Sequence, residues 1–132
     1  MRRPATIALV LLAASGCGSE PREEPSGAAL YARHCAACHG AEGRGDGPVA
    51  PALTRAPTDL TTLARRHGGR LDAARVAAAI DGRSPVAGHG SREMPVWGVV
   101  FEAEVSGEGY VGYRAIERSQ RLTEYLATLQ VE

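Results

Sequence analysis

The clearest periodic signal lies at the end of the chain. From about Tyr113 to Leu129, Leu122, Tyr125, Leu126 and Leu129 recur at three- and four-residue spacing, with Ile116 farther up, and arginines and glutamates fill the other face. That is the pattern of an amphipathic helix with one stripe on a core. The stretch from Asp72 to Asp81 repeats it on a smaller scale: Val76, Ala79 and Ile80 share a face, and Gly82 supplies a stop. A short helix is expected from Thr58 or Asp59 to the Gly68-Gly69 pair. At the front, Ser26 can cap a helix running from Gly27 towards Cys38, with Leu30, Tyr31 and His34 at helical spacing. Gly40 to Pro48 is rich in turn formers and leads to Pro51-Ala52-Leu53. Glu102 to Gly112 reads as a Gly-containing connection before the last helix. No segment keeps a strand period for long, and Val96 to Val100 is the only plausible short exception. The pattern predicts a small all-α domain of about four to five helices.

The first residues follow a different pattern. Met1-Arg2-Arg3 is a basic start, Ala5 to Ala14 is an apolar run, and Ala14-Ser15-Gly16 places small residues directly before Cys17. A membrane span needs about 20 apolar residues, so this run reads as an export signal. Small residues ending at a cysteine resemble the lipobox of bacterial lipoproteins, although Ala14 stands where leucine is more usual. The alternative is an ordinary cleaved signal with Cys17 incidental. The expected organisation is a lipoprotein signal peptide over 1–16, a lipidated N-terminus and flexible linker over 17–25, and one domain over 26–132. Gly18 to Ser26 holds Pro21, Pro25, Glu20, Glu23 and Glu24, the composition of a solvated linker. Lipid on Cys17 would hold the domain at the extracytoplasmic side of a bacterial membrane, in the periplasm or its equivalent.

Composition adds less. Of the 132 residues 44 % are apolar but only 5 % aromatic, so a flat apolar cofactor would help to fill a core this poor in rings. The formal charge is 0, and loss of Arg2 and Arg3 with the leader would make it −2. Neither value points to nucleic acid. Every one of the basic side chains counted as Lys or Arg is an arginine.

The three cysteines carry the chemistry. Cys35-Ala36-Ala37-Cys38-His39 sets two thiols three residues apart with an imidazole directly after the second. That spacing lets both sulfurs reach the two vinyl groups on one porphyrin edge and aims His39 at the iron, so the expected cofactor is one covalent haem c. Cys35 and Cys38 would become thioethers to haem and Cys17 a thioether to lipid, which leaves no thiol over. A thioredoxin-like pair would normally follow an apolar strand, and a zinc site would need further ligands. Met1 goes with the leader, so Met94 is the sole methionine of the exported chain and the expected second axial ligand. It lies in a loop-like Gly/Pro-punctuated segment, whereas a core-filling methionine usually sits in a periodic apolar one. His89 is the next candidate ligand and His67 the third; His34 is expected to be a surface or helix residue beside the haem. A Met/His pair raises the reduction potential.

With these motifs in place, the chain from about 26 to 131 resembles the class I c-type cytochromes, small monohaem electron carriers. The resemblance implies that the first and last helices cross, with Gly27, Tyr31 and Tyr125 at the contact. It implies that the Pro51 carbonyl accepts a hydrogen bond from His39 Nδ1, with Pro48 as the alternative. Met94-Pro95-Val96-Trp97-Gly98 looks like the family's methionine loop, which would put Trp97 in the haem pocket, its indole N–H towards a propionate; plain core packing explains a tryptophan there equally well.

The implied function is one-electron transfer by a His/Met-ligated haem rather than enzyme catalysis, because a six-coordinate iron has no open position for a substrate. Service to a respiratory oxidoreductase, as partner or subunit, is compatible with that reading. Two other classes stay open: a haem-based sensor or catalytic haem protein with a displaceable sixth ligand, and a non-haem lipoprotein whose Cys35 and Cys38 form a redox pair. The expected partners are redox proteins and, through Cys17, membrane lipid, with no small-molecule substrate. Arg33, Arg44 and Arg92 are candidates for a partner contact.

Overall fold

The computed structural model describes residues 23–84, 94–105 and 111–131. The leader, Cys17, His89 and Arg92 lie outside them. Among the described residues every regular element is helical. Helix α1 spans Gly27–His34 and α2 Ala36–His39. A 3-10 turn over Leu60–Thr62 leads into α3, Leu63–Arg66. Then come α4, Ala73–Asp81, α5, Trp97–Glu104, and α6, Val111–Thr128. None of these helices is long and apolar enough to cross a membrane.

The caps follow the sequence. Ser26 accepts from the Ala29 N–H at 3.2 Å and Asp72 from the Arg75 N–H at 3.0 Å, each satisfying a donor that the first helical turn leaves open. Asp59 does the same for the Thr61 N–H at 2.9 Å. The first helix breaks at Cys35 and restarts as α2, so the attachment motif sits on a separate short turn rather than on a continuation of α1.

Helix α6 is the centre of the domain and packs on α1, α4 and α5. Leu30 and Tyr31 of α1, Ile80 of α4, Phe101 of α5 and Ala115, Leu122 and Leu126 of α6 form one buried cluster. At the crossing of α1 and α6 a Cβ on Gly27 would run into the Arg121 carbonyl oxygen and come within 2.9 Å of Tyr125 Cβ. Only glycine allows this approach. Just beyond it the Tyr31 and Tyr125 rings meet at 5.3 Å. The crossing expected from the resemblance is present, on the expected residues.

Three expectations change. The Val96 to Val100 stretch is not a strand: Trp97 opens α5, and Trp97, Phe101 and Val105 recur every four residues on the buried side. Gly98 allows this by lying 2.8 Å, measured from its missing Cβ position, from the Asp81 carbonyl oxygen at the end of α4. The connection expected over Glu102 to Gly112 is correspondingly shorter, since α5 runs to Glu104 and α6 begins at Val111. Ile116, placed on the apolar stripe, is 53 % exposed, and Ala115 and Ser119 face the core in its stead. The Ser119 hydroxyl is satisfied there by the Ala115 carbonyl at 3.1 Å.

Glu24 lies in the stretch read as linker, yet it is fixed. Its carboxylate pairs with Arg114 at 2.7 Å and Arg118 at 2.9 Å. Burial alone would raise this carboxyl, but the hydrogen bonds and charges of Arg118 and Arg114 outweigh it and hold it below the ordinary 4.5. A carboxylate lowered on folding contributes stability above its unfolded value and loses it as pH falls through the folded one. Glu24→Gln is expected to cost about 1–2 kcal/mol at neutral pH. In denaturant unfolding followed by circular dichroism, the gap to the parent should close as acidification carries the pH down through the lowered folded value of Glu24.

Candidate haem site

The end of α1, α2, the 58–63 segment, α4, the start of α5 and α6 enclose a cavity of about 280 Å³. Its wall is largely apolar, with Leu60, Leu63, Val76, Ala79, Ile80, Leu122 and Leu126 supplying most of it, and Tyr31, Cys35, His39, Met94 and Trp97 complete it. Two elements expected only to be helices, α4 and α6, thus give it their apolar faces.

His39 is 7 % exposed. Its Nδ1 lies 2.9 Å from the Thr58 carbonyl oxygen. A carbonyl can only accept, so Nδ1 carries the proton and Nε2 keeps its lone pair free for a metal. Burial lowers the pKa of the imidazole, partly opposed by the Thr58 hydrogen bond, so the ring is held in the neutral form a metal requires. The acceptor is Thr58 and not Pro51 as the resemblance implied. Pro51 is exposed, in a 3-10 turn over Ala50–Ala52. The glycine-rich loop is long enough to carry the first prolines past the imidazole, and the chain returns to it only after Pro57. The alternative, Pro48, is exposed as well.

The loop is anchored where it leaves His39. Tyr31, 1 % exposed, donates its hydroxyl to the Gly40 carbonyl at 2.7 Å. Burial, with lesser contributions from Cys35 and other nearby groups, pushes the phenol up to about 12, so it stays a neutral donor. Burial also pushes the Cys35 thiol up to about 12, with Cys38 adding to the effect. A thiol–disulfide exchanger needs the opposite shift.

Met94 is half-buried and Trp97 packs at a tilt against His34 and stacks on Phe101, with centroids 5.2 and 6.0 Å apart. Both line the cavity. His67 lines it too, on the exposed turn after α3. His34 does not: its side chain is only 7 % exposed and meets the Trp97 and Phe101 rings at 5.2 and 5.4 Å. Helical spacing from Leu30 could have shown it as a core residue. Thr58 and the rim residues Arg66, Asp72 and Arg75 were missed, since no motif marks a backbone acceptor or a cavity edge.

The residues present fit a haem. The cavity is apolar where a macrocycle would lie, offers one neutral imidazole, one thioether and a thiol on its wall, and is charged at one edge. No group of three or more His, Cys, Asp or Glu that could hold a metal ion is found among the described residues. A helical domain built around this attachment motif defines a class I c-type cytochrome. The chain belongs to the family described as cytochrome c oxidase, cbb3-type, subunit III, whose model matches residues 22–107. It carries covalent haem c and transfers electrons, and such domains are typically extracytoplasmic. No curated protein and no solved structure matches the chain. The family match ends before α6, which nonetheless supplies Leu122 and Leu126 to the cavity.

Tyr31→Phe removes one buried hydrogen bond without changing the ring packing. It is expected to lower the unfolding free energy by about 1 kcal/mol while leaving the haem absorption spectrum unchanged, as measured by denaturant titration of the holoprotein.

Proposed function

We propose that the chain is a membrane-tethered, extracytoplasmic electron carrier with one haem c bonded to Cys35 and Cys38 and axial ligands His39 and Met94. The observation that carries this reading is the meeting of a buried neutral imidazole and the sole methionine of the exported chain on one apolar cavity. When bound, the haem supplies a one-electron ferric–ferrous couple. The protein's part is to hold geometry and exclude water. Thr58 orients His39, Tyr31 fixes the backbone after it, and the packing of Trp97 on Phe101 backs the wall near Met94. Such fixed surroundings keep rearrangement small when the charge changes, and with both axial positions filled no substrate site is needed. The partners are then redox proteins, and lipid on Cys17 keeps the domain at the membrane surface.

Met94→Ala in the purified holoprotein is expected to abolish the Met–iron charge-transfer band and to lower the midpoint potential by a measurable part of the ~0.8 V that axial ligands span. The same variant should bind carbon monoxide rapidly where the parent does not. An unchanged spectrum would remove Met94 as ligand, and rapid carbon monoxide binding by the parent would favour a sensor or catalyst with a displaceable sixth ligand. For the tether, Cys17→Ser is expected to move the haem-containing protein from the membrane to the soluble fraction of an expressing cell. Continued membrane association would rule out lipid at this position.

A further inference from the structure

The arginines fall into two groups. Arg33 faces Glu104 at 3.6 Å, Arg44 faces Glu42 at 2.9 Å, Arg83 faces Asp81 at 2.6 Å and Arg121 faces Glu117 at 2.8 Å. Arg114 and Arg118 share Glu24, and Arg118 also reaches Glu104 at 2.9 Å. Arg65, Arg66, Arg70 and Arg75 are different: all four are exposed, and none makes an ion pair or side-chain hydrogen bond among the described residues. They lie within one short stretch of chain. Its one acid, Asp72, is already engaged in capping α4 through the Arg75 N–H. Asp59 feels Arg66 only through space. Residues 65–75 therefore carry a formal +3 in a chain whose total is 0, and the remainder is net negative.

Their place matters more than their number. Arg66 and Arg75 are both exposed and on the cavity wall, so they mark where the cavity meets solvent. Arg70 lines an open recess that shares His67, Leu71 and Asp72 with that wall. A haem would bring carboxylates of its own, and Arg66 and Arg75 are the pair on its wall. Arg65 and Arg70 are off that wall and have no carboxylate partner among the described residues. Like charges gathered without counter-ions repel one another, and they also project a field that concentrates anions at the mouth.

We infer that this arginine face is the docking surface for a redox protein presenting a carboxylate cluster, and that electrons cross at the cavity edge it surrounds. The inference rests on the haem reading above. A protein is favoured over a lipid surface because a bilayer lying on this face would cover the edge through which the electron must pass.

The test uses full-length holoprotein in neutral detergent, reduced and mixed in stopped flow with ferricyanide, an anion, or with tris(phenanthroline)cobalt(III), a cation. Ionic strength is varied from about 10 to about 300 mM, which spans strong to weak screening. The ferricyanide rate is expected to fall by about tenfold over that range, against the trend set by a neutral or slightly negative net charge, and the cobalt rate to stay flat or rise. Arg65→Glu with Arg70→Glu should slow ferricyanide by about tenfold at low salt and speed the cobalt complex, with the absorption spectrum unchanged. A shift in potential would instead slow one-electron oxidation by both probes or speed both, so the opposite responses identify the field. A ferricyanide rate that rises with salt in the parent, or unchanged rates in the double variant, would overturn the proposal. Unchanged rates together with weakened binding to phosphatidylglycerol vesicles would assign the patch to lipid and overturn it too. A preparation without a covalent haem spectrum would sink the functional reading, and this proposal with it.

Discussion

Gly27 brings α1 so close to α6 that a single added carbon would strike the Arg121 carbonyl. Much of the site follows from that approach. It seats Leu30 and Tyr31 against Leu122 and Leu126, so the same contact that joins the two ends of the domain also builds one wall of the cavity. Because α1 is pinned there, its C-terminal end at His34 is fixed, and Cys35 to His39 leave it in a defined direction. Tyr31 carries the constraint one step further. Its ring packs on Tyr125 while its hydroxyl holds the Gly40 carbonyl, so helix packing and the backbone just after His39 are tied by one side chain. The C-terminus closes the other side: Gln130 donates to the Leu60 carbonyl at 2.8 Å and accepts from the Ala64 N–H at 2.8 Å, which holds α3 and the segment after Thr58 against the end of α6.

Burial then acts on two titratable groups in ways that point to the same chemistry. It disfavours the charged imidazolium of His39, leaving a neutral ligand, and it disfavours the Cys35 thiolate. A dithiol oxidoreductase would want its nucleophile ionised and accessible, and an apolar wall is the wrong place for it. An apolar wall is the right place for a porphyrin. The same environment therefore weighs against the redox-pair alternative without reference to the motif, and it does so through a property that spacing alone could never reveal.

What was legible in the sequence was what is encoded locally. The attachment motif, the cap at Ser26, the stop at Gly82 and the stripe on α6 each depend on residues a few positions apart. What was not legible depends on where a loop travels. The acceptor for His39 is a backbone carbonyl, which every residue possesses, so only the path of the loop could select Thr58 over Pro51. The stretch beginning at Val96 misled through its β-branched residues, because the four-residue recurrence of Trp97, Phe101 and Val105 is diluted by Val99 and Val100 between them. His34, expected as a surface or helix residue, is the last residue of helix α1, but its side chain is buried rather than at the surface. Its contact with the Trp97 and Phe101 rings is a tertiary fact.

Charge shows the same division between what sums and what is arranged. A formal total of 0 suggests a surface with no electrostatic preference, and Arg33 and Arg44 are candidates for a partner contact by their expected place near the haem edge. Folding gives both of them carboxylate partners, so their fields are largely cancelled within a few ångströms. The ion pairs centred on Glu24, Glu104 and Arg118 likewise draw together α1, α5, α6 and the segment before α1. Each such pairing removes an acid from the pool available to neutralise residues 65–75. The acids concentrated in structural pairs and the arginines left bare at the cavity edge are thus two sides of one arrangement. A chain with no net charge can in this way present a positive local field where this cavity meets solvent.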